Sequence, residues 1–239
     1  MFPLIIRLLK VFTLTAKHAG QIKRVRSNNL PNGKALITQI KKDWARASLD
    51  NLGVRVNTTG ASVSERPILF VGNHVSYLDI PLVMATAPVS FVAKFELSRW
   101  PIIGDASRVG GTVFVKRESV ESRKSVVQKI GDACIKDGQS ICIFPSGTTT
   151  LKEDKPWRKG AFEIAKLRGL QIQCFRIKYC PQEIAAFVGD DAFVPHLWRL
   201  LKAGSVSAEI EFSHPFTVDV PDEDCSKWQQ WCKEILNKD

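Results

Sequence analysis

The sequence predicts an α/β fold: a central mixed sheet flanked by helices, with a basic amphipathic two-helix element at its N-terminal end. Three observations carry that prediction. From about residue 52, short β-rich runs alternate with helical segments; a polar cluster directly follows each of three apolar runs; and positive charge is crowded into residues 1–50. The boundaries that follow are 1–52 for the helical segment and 53–239 for one folded body, long enough to bury roughly 70% of its unfolded surface.

The N-terminal element comes first. Phe2 to Leu14 is largely apolar but interrupted by Arg7 and Lys10, so it falls short of the 18 or so apolar residues of a spanning helix. Its cations sit inside the apolar run rather than ahead of it, unlike a secretory signal. A helix from Phe2 toward Arg26 places Lys10, Lys17 and Arg24 seven residues apart on one face, the pattern of a helix lying in a headgroup plane. Asn28 to Gly33 then reads as a turn. A second helix follows, with Leu36, Ile40, Trp44 and Ala47 on one side and Lys34, Lys41, Lys42 and Arg46 outside it.

Residues 1–50 carry ten Lys or Arg against two acids, +8 of the chain's formal +10. Near an anionic leaflet each cation contributes about 1 kcal/mol, less where salt screens it. The charge accompanies an apolar terminus and no nucleic-acid motif, so the expected partner is an anionic membrane surface and not nucleic acid.

In the body, the strands expected are Val54–Asn57, Ile68–Gly72, Ser90–Ala93, Thr112–Val115, Ser140–Phe144, Gln171–Lys178 and Val206–Phe212. The helices expected are Leu78–Ala87, Ser119–Lys136, Gly160–Arg168 and Glu223–Leu236. The six cysteines contain no C-x-x-C pair and match no metal or haem spacing, so reduced, mostly buried thiols and no metal are expected.

In such a sheet, ligands gather at strand ends. His74 lies just past the run Pro67–Gly72, with Asp79 five positions on; Arg117 ends the run from Val113; and Pro145-Ser146-Gly147-Thr148 follows Ile141–Phe144. An imidazole oriented by a carboxylate is a general base for a hydroxyl about to become a nucleophile. The spacing alone is weak evidence, because His214 and Asp219 repeat it. There Pro215 biases His214 toward extended backbone, and that copy reads as a surface feature.

These clusters, in this order, resemble the glycerolipid O-acyltransferase family, which includes the lysophosphatidic acid acyltransferases. Asn73, His74 and Asp79 match its first block. Gly111, Phe114 and Arg117 match its second, Gly-x-x-Phe-x-x-Arg. Phe144-Pro145-Ser146-Gly147-Thr148-Thr149 matches its third, Phe-Pro-Glu-Gly-Thr-Arg, in part. Phe91–Leu97, which contains Lys94, and Trp100-Pro101-Ile102-Ile103-Gly104 resemble the stretch between the first two blocks. Gly189–Asp191 and Pro195–Arg199 resemble a tail seen near the bacterial lyso-ornithine-lipid acyltransferases.

The resemblance implies an α/β catalytic domain that moves an acyl group from a coenzyme A or acyl-carrier-protein thioester to the free hydroxyl of a lysolipid. The implied product is phosphatidic acid in phospholipid biosynthesis. His74 and Asp79 are the implied catalytic pair. Lys94, Gly111, Phe114, Arg117, Ser146, Gly147 and Thr148 are the implied substrate contacts. The thioester is a co-substrate, no further cofactor is implied, and the implied location is the cytoplasmic face of a bacterial inner membrane. Direct transfer needs no acyl-enzyme, because the thioester is already activated and no Gly-x-Ser-x-Gly elbow is present; oxyanion donors are expected among backbone amides near Gly147. Ser146 and Thr149 depart from the family's Glu and Arg. Threonine cannot supply a bidentate cation for phosphate, so Lys94, Lys116 and Arg117, with Lys152 or Arg158 beside them, would take that part, or the acceptor is another lysolipid such as lyso-ornithine lipid. Loss of the third-block glutamate also leaves open a lipid-binding relative without activity.

Overall fold

A computed structural model describes residues 2–63, 65–116 and 120–236. Two helices, α1 (Phe2–Ser27) and α2 (Gly33–Leu52), lead into a sheet of β1 (Val54–Thr59), β2 (Leu69–Gly72), β3 (Val89–Lys94), β4 (Val113–Val115), β5 (Ser140–Ile143), β6 (Gln171–Cys180), β7 (Val206–Phe212) and β8 (Phe216–Thr217). The remaining helices are α3 (Asp79–Thr86), α4 (Ile103–Val109), α5 (Val120–Ile135), α6 (Gly160–Arg168), α7 (Gln182–Ala185), α8 (Phe193–Ala203) and α9 (Pro221–Leu236).

The sheet order is β1-β7-β6-β2-β5-β3-β4, with β8 on β6. Strands β6, β2, β5, β3 and β4 run parallel, while β7 is antiparallel to β6 and carries β1 parallel to itself. The mixed sheet expected from the sequence is therefore present. Its parallel centre has a direct consequence: the C-terminal ends of β2, β5, β3, β4 and β6 lie along one edge.

Strand alternation divides the core in two. Ile68 and Phe70 of the β2 region, with Phe175, Ile177 and Tyr179 of β6, face one layer that includes Leu82 of α3 and Leu197 of α8. Leu69, Val71, Ile141, Ile172 and Cys174 face the other, against Ile130 of α5, Phe162 of α6 and Cys232 of α9. Central strands covered on both faces must be apolar throughout, which is why Ile68–Val71 reads as an unbroken run. Five of the cysteines are buried and all six are free.

The two N-terminal helices pack together through Ile22, Val25 and Ile40, and Trp44 Nε1 donates to Thr15 Oγ1 at 3.1 Å. A reciprocal pair ties α1 to the end of α2: Arg7 Nε donates to Asn51 O and Asn51 Nδ2 to Arg7 O, both at 2.9 Å. Phe2, Ile5, Ile6 and Leu9 remain exposed on α1. Among the described residues, no helix is long and apolar enough to cross a membrane.

Several short elements were not anticipated: a 3-10 turn at Phe95–Arg99, together with α4, α7, α8 and β8. The first two follow from Trp100-Pro101, where Pro interrupts one helical path and another begins beyond it. Helix α8 hides its start because Pro195 lies within its first turn, a place where the missing N–H costs nothing.

Candidate active site

His74 and Asp79 meet. The chain leaves β2 at Gly72, crosses a six-residue loop and enters α3 at Asp79, so the carboxylate opens the helix and points back over the loop. The His74 Nδ1 to Asp79 Oδ2 distance is 2.6 Å. The same oxygen accepts from the Val75 and Ser76 amides at 2.7 and 3.0 Å, and Tyr179 Oη donates to the other, Oδ1, at 2.7 Å. Asp79 is fully buried, and an ion there persists only because its lone pairs are filled. With Nδ1–H given to Asp79, the second ring nitrogen, Nε2, is left as the proton acceptor. The His74 side chain is 19% exposed, Asp79 not at all.

Three sets of contacts fix His74 from other sides. The Phe144 ring stacks on the imidazole, centroids 4.0 Å apart and planes 9° from parallel. Asn73, buried, bridges to β6 in both directions: Nδ2 to Ile177 O at 2.8 Å, and Ile177 N to Oδ1 at 2.7 Å. That bridge requires β2 and β6 to approach closely at Gly72, where a Cβ would lie 2.4 Å from the Phe175 ring and 2.5 Å from its carbonyl oxygen. Finally, Thr150 N donates to His74 O at 2.7 Å, while His74 N donates to Glu153 Oε1 at 3.1 Å.

Glu153 was not foreseen. It is completely buried and also accepts from Thr150 Oγ1 at 3.0 Å and Trp157 Nε1 at 2.6 Å. Burial raises its carboxyl above the ordinary range, opposed by the bonds from Trp157, the His74 amide and Thr150. Burial, followed by the charge of Asp79, pushes the Tyr179 phenol well up, so it stays a donor. The loop is also held to α8: Tyr77 Oη donates to His196 Nδ1 at 3.0 Å, and His196 Nε2 to Ala186 O at 2.7 Å. Burial lowers the His196 imidazole, keeping it neutral for that bridging role.

The other residues singled out from the sequence divide into groups. Phe144-Pro145-Ser146-Gly147-Thr148 leaves β5 at the same edge as His74. Ser146 is buried and its Oγ donates to Thr148 O at 2.8 Å, so it closes its own turn. Gly147 takes a left-handed φ of 73°, and its amide donates to Phe144 O at 3.1 Å. That amide closes the turn; the amides of Thr148 and Thr149 beside it have no protein partner among the described residues. Thr148 is exposed.

Lys94 ends β3 at this edge and is exposed. Lys116 follows β4, its Nζ 4.8 Å from the centroid of the Phe95 ring, and Arg99 approaches the same ring at 5.4 Å. Phe114 is mid-strand in β4, paired with Ala93. Gly111 precedes β4 and so belongs to the opposite end of that strand from Lys116. Its φ is +88° and a Cβ would meet Gln139 Oε1 at 2.8 Å and Ser90 Oγ at 3.0 Å, a packing requirement. Arg117 lies outside the described residues. His214 and Asp219 are both exposed, as expected for a surface copy.

Comparison with known proteins matches this architecture. The acyltransferase family model matches residues 53–178. The chain is 37% identical over 177 residues to a lyso-ornithine lipid O-acyltransferase of Pseudomonas aeruginosa, covering 72% of this chain and 67% of that one. It is 32% identical over 198 residues to a protein of the same description from Rhizobium meliloti, covering 75% and 68%, and 27% identical over 175 residues to a 1-acyl-sn-glycerol-3-phosphate acyltransferase of Neisseria gonorrhoeae, covering 70% and 67%. The crystal structure of the 1-acyl-sn-glycerophosphate acyltransferase from Thermotoga maritima shares the fold, with a TM-score of 0.76 at 16% identity over 98% of this chain and 93% of that one. On the sequence match, with the fold in agreement, the chain belongs to the acyltransferase family.

Proposed function

We propose that the protein is a lysolipid O-acyltransferase, moving a fatty acyl group from a thioester to the free hydroxyl of a lysolipid. The observation that carries this reading is the 2.6 Å contact between His74 Nδ1 and a fully buried Asp79, with Nε2 left for a substrate hydroxyl. His74 takes the hydroxyl proton as the oxygen bonds to the thioester carbon. The tetrahedral intermediate then collapses, the C–S bond breaks, and the thiolate leaves as thiol with the proton held on His74. Asp79 keeps the ring in the tautomer that presents Nε2 and stabilises its cationic form. General-base help supplies about two to four orders of magnitude, and holding both substrates at the edge supplies further rate.

With lysophosphatidic acid as acceptor, the exposed Lys94 and Lys116 at the edge are the cations for its phosphate, together with Arg117 from the sequence. A second reading, a lyso-ornithine lipid acceptor, is favoured by Thr149 in place of the family's arginine and by the descriptions of the relatives 37% and 32% identical. The N-terminal helices are the membrane element in both readings, their exposed Phe2, Ile5, Ile6 and Leu9 entering the headgroup layer of an anionic leaflet and exposed cations such as Lys10, Lys17 and Arg24 meeting its charge. The donor is acyl-CoA or acyl-carrier protein.

A panel of lysolipids assayed with each labelled donor tests the proposal. Turnover of lysophosphatidic acid supports the first reading, and turnover of lyso-ornithine lipid alone supports the second. Turnover of no acceptor with either donor leaves a binding protein. His74→Ala should lower the rate by about two to four orders of magnitude; near-wild-type turnover in that variant would remove the general base.

A further inference from the structure

His74 is flanked by two buried carboxylates, and only one of them belongs to the pair that the sequence announced. Glu153 reaches it from the backbone side. The segment after β5 runs past His74 so that His74 N donates to Glu153 Oε1 at 3.1 Å while Thr150 N donates to His74 O at 2.7 Å. The base is thus gripped on both main-chain polar groups by one stretch of chain, in addition to its ring contacts. Glu153 adopts this place in a left-handed backbone conformation, φ 48°, which a non-glycine residue holds only when its surroundings enforce it.

Those surroundings are visible. Gln229 of α9 donates to the carbonyls of Glu153 and Lys155 at 3.0 and 2.7 Å and accepts from Trp157 N at 3.1 Å. The Trp157 indole closes on Oε2. Two of the three groups that bond the carboxylate, an amide N–H and an indole N–H, can only donate. Each oxygen faces one of them, an arrangement that matches the ionised form.

We propose that Glu153 is a positioning residue for the general base: as a carboxylate it anchors the His74 backbone and sets a second negative charge behind the imidazole, raising that ring's affinity for a proton. The proposal rests on the reading of His74 as the base. Among the described residues, the titratable groups facing Glu153 are the His74 ring and, from α9, the Cys232 thiol, with Arg176 of β6 beside that thiol. Asp79 faces His74 from α3, with Tyr179 of β6 and Cys142 of β5 behind Asp79. Burial raises both thiols, so neither adds charge near neutrality.

The test is a titration of the His74 imidazole by NMR in the full-length protein, beside the pH profile of kcat/KM. Glu153→Gln removes the charge at constant size, and the midpoint of the ring should fall by about half a pH unit or more, with the acid limb of the profile moving to lower pH by the same amount. kcat should drop about ten-fold with KM changed less than two-fold, a fraction of the whole general-base effect. Glu153→Asp, which keeps the charge, should hold the limb at its wild-type position. A variant that merely loosens the loop lowers kcat without moving either midpoint, and that result would overturn the proposal. Where Glu153→Gln does not fold, the labelled carboxyl carbon of Glu153 in the wild-type protein decides: it should report an ionised group throughout the His74 titration, and a protonated one overturns the proposal. Because the ring titration needs no substrate, it is read independently of whether His74→Ala abolishes turnover.

Discussion

Tyr179 and Asp79, a hundred residues apart in the chain, share a 2.7 Å hydrogen bond inside the core. The phenol fills the one carboxylate oxygen that the His74 loop leaves open, and it does so from the sixth strand, across the sheet centre. The Asp79 carboxylate is therefore held by the fold as a whole and not only by its own loop.

Tyr179→Phe should leave Oδ1 of Asp79 buried without a donor. Stranding a buried acceptor costs about 1–3 kcal/mol, more when it is charged, so the variant should unfold at lower denaturant concentration. Its kcat should fall while donor and acceptor KM stay near wild type. An unchanged denaturation midpoint would show that this bond does not matter to Asp79.

Asp79→Asn presents an amide where Val75 N, Ser76 N and His74 Nδ1 all donate. The ring would be pulled toward the wrong tautomer, as in other His–carboxylate pairs, where such a change costs about four orders of magnitude. Steady-state kcat at saturating acceptor is the measurement. A loss smaller than that of His74→Ala by a factor of about a hundred would assign Asp79 a purely structural part.

Gly72→Ala places a methyl 2.4 Å from the Phe175 ring and 2.5 Å from its carbonyl. One of these is backbone in a central strand, so β2 and β6 must part. Overpacking of this kind costs about 1–3 kcal/mol, and the Asn73 bridge to Ile177 should loosen with it. Hydrogen exchange at the Ile177 amide, which donates to Asn73 Oδ1 at 2.7 Å, should accelerate.

Lys41 donates from α2 to Ser90 Oγ at 2.9 Å, and burial, with Arg26 nearby, lowers its ammonium to about 8 from 10.5. Between those values the unfolded chain holds a proton that the folded chain has released, so stability rises with pH through that window. Below about 8 both states carry the proton and the full penalty remains. Lys41→Met should flatten the stability profile between pH 8 and 10.5; a slope there identical to wild type would rule Lys41 out as its source.

Reversing Lys10, Lys17 and Arg24 to Glu should release the protein from vesicles of anionic lipid, because each cation near such a surface contributes about 1 kcal/mol. Flotation at two salt concentrations checks it. Binding that survives both the reversal and high salt would mean that the helix is not the electrostatic anchor.

Much of this was legible in the chain. The alternation from residue 52 predicted every strand from Val54 to Phe212 within a few residues, because buried parallel strands must be apolar runs and their ends must be polar. His74 and Asp79 were legible because their partnership is local, five positions across one turn. Glu153 was not. In Lys152-Glu153-Asp154-Lys155 it looks like a solvated acid among charges, and only the packing of α9 behind it, through Gln229, takes it out of water. Tyr179 was hidden for the same reason: in a strand of alternating faces it is one more core residue until the distant Asp79 arrives. Gly111 followed the opposite course, standing out by motif while its position before β4 gives it a packing duty.

The protein's own contacts hold the His74 imidazole in register: Asp79 on Nδ1, the Phe144 ring against its face and Thr150 on its backbone. A base prepared in advance does not discriminate among hydroxyls, and water is the most abundant of them. Under the proposed transfer, thioester wasted to hydrolysis would be the standing hazard of this design, and protection would come from the lysolipid that displaces water from Nε2.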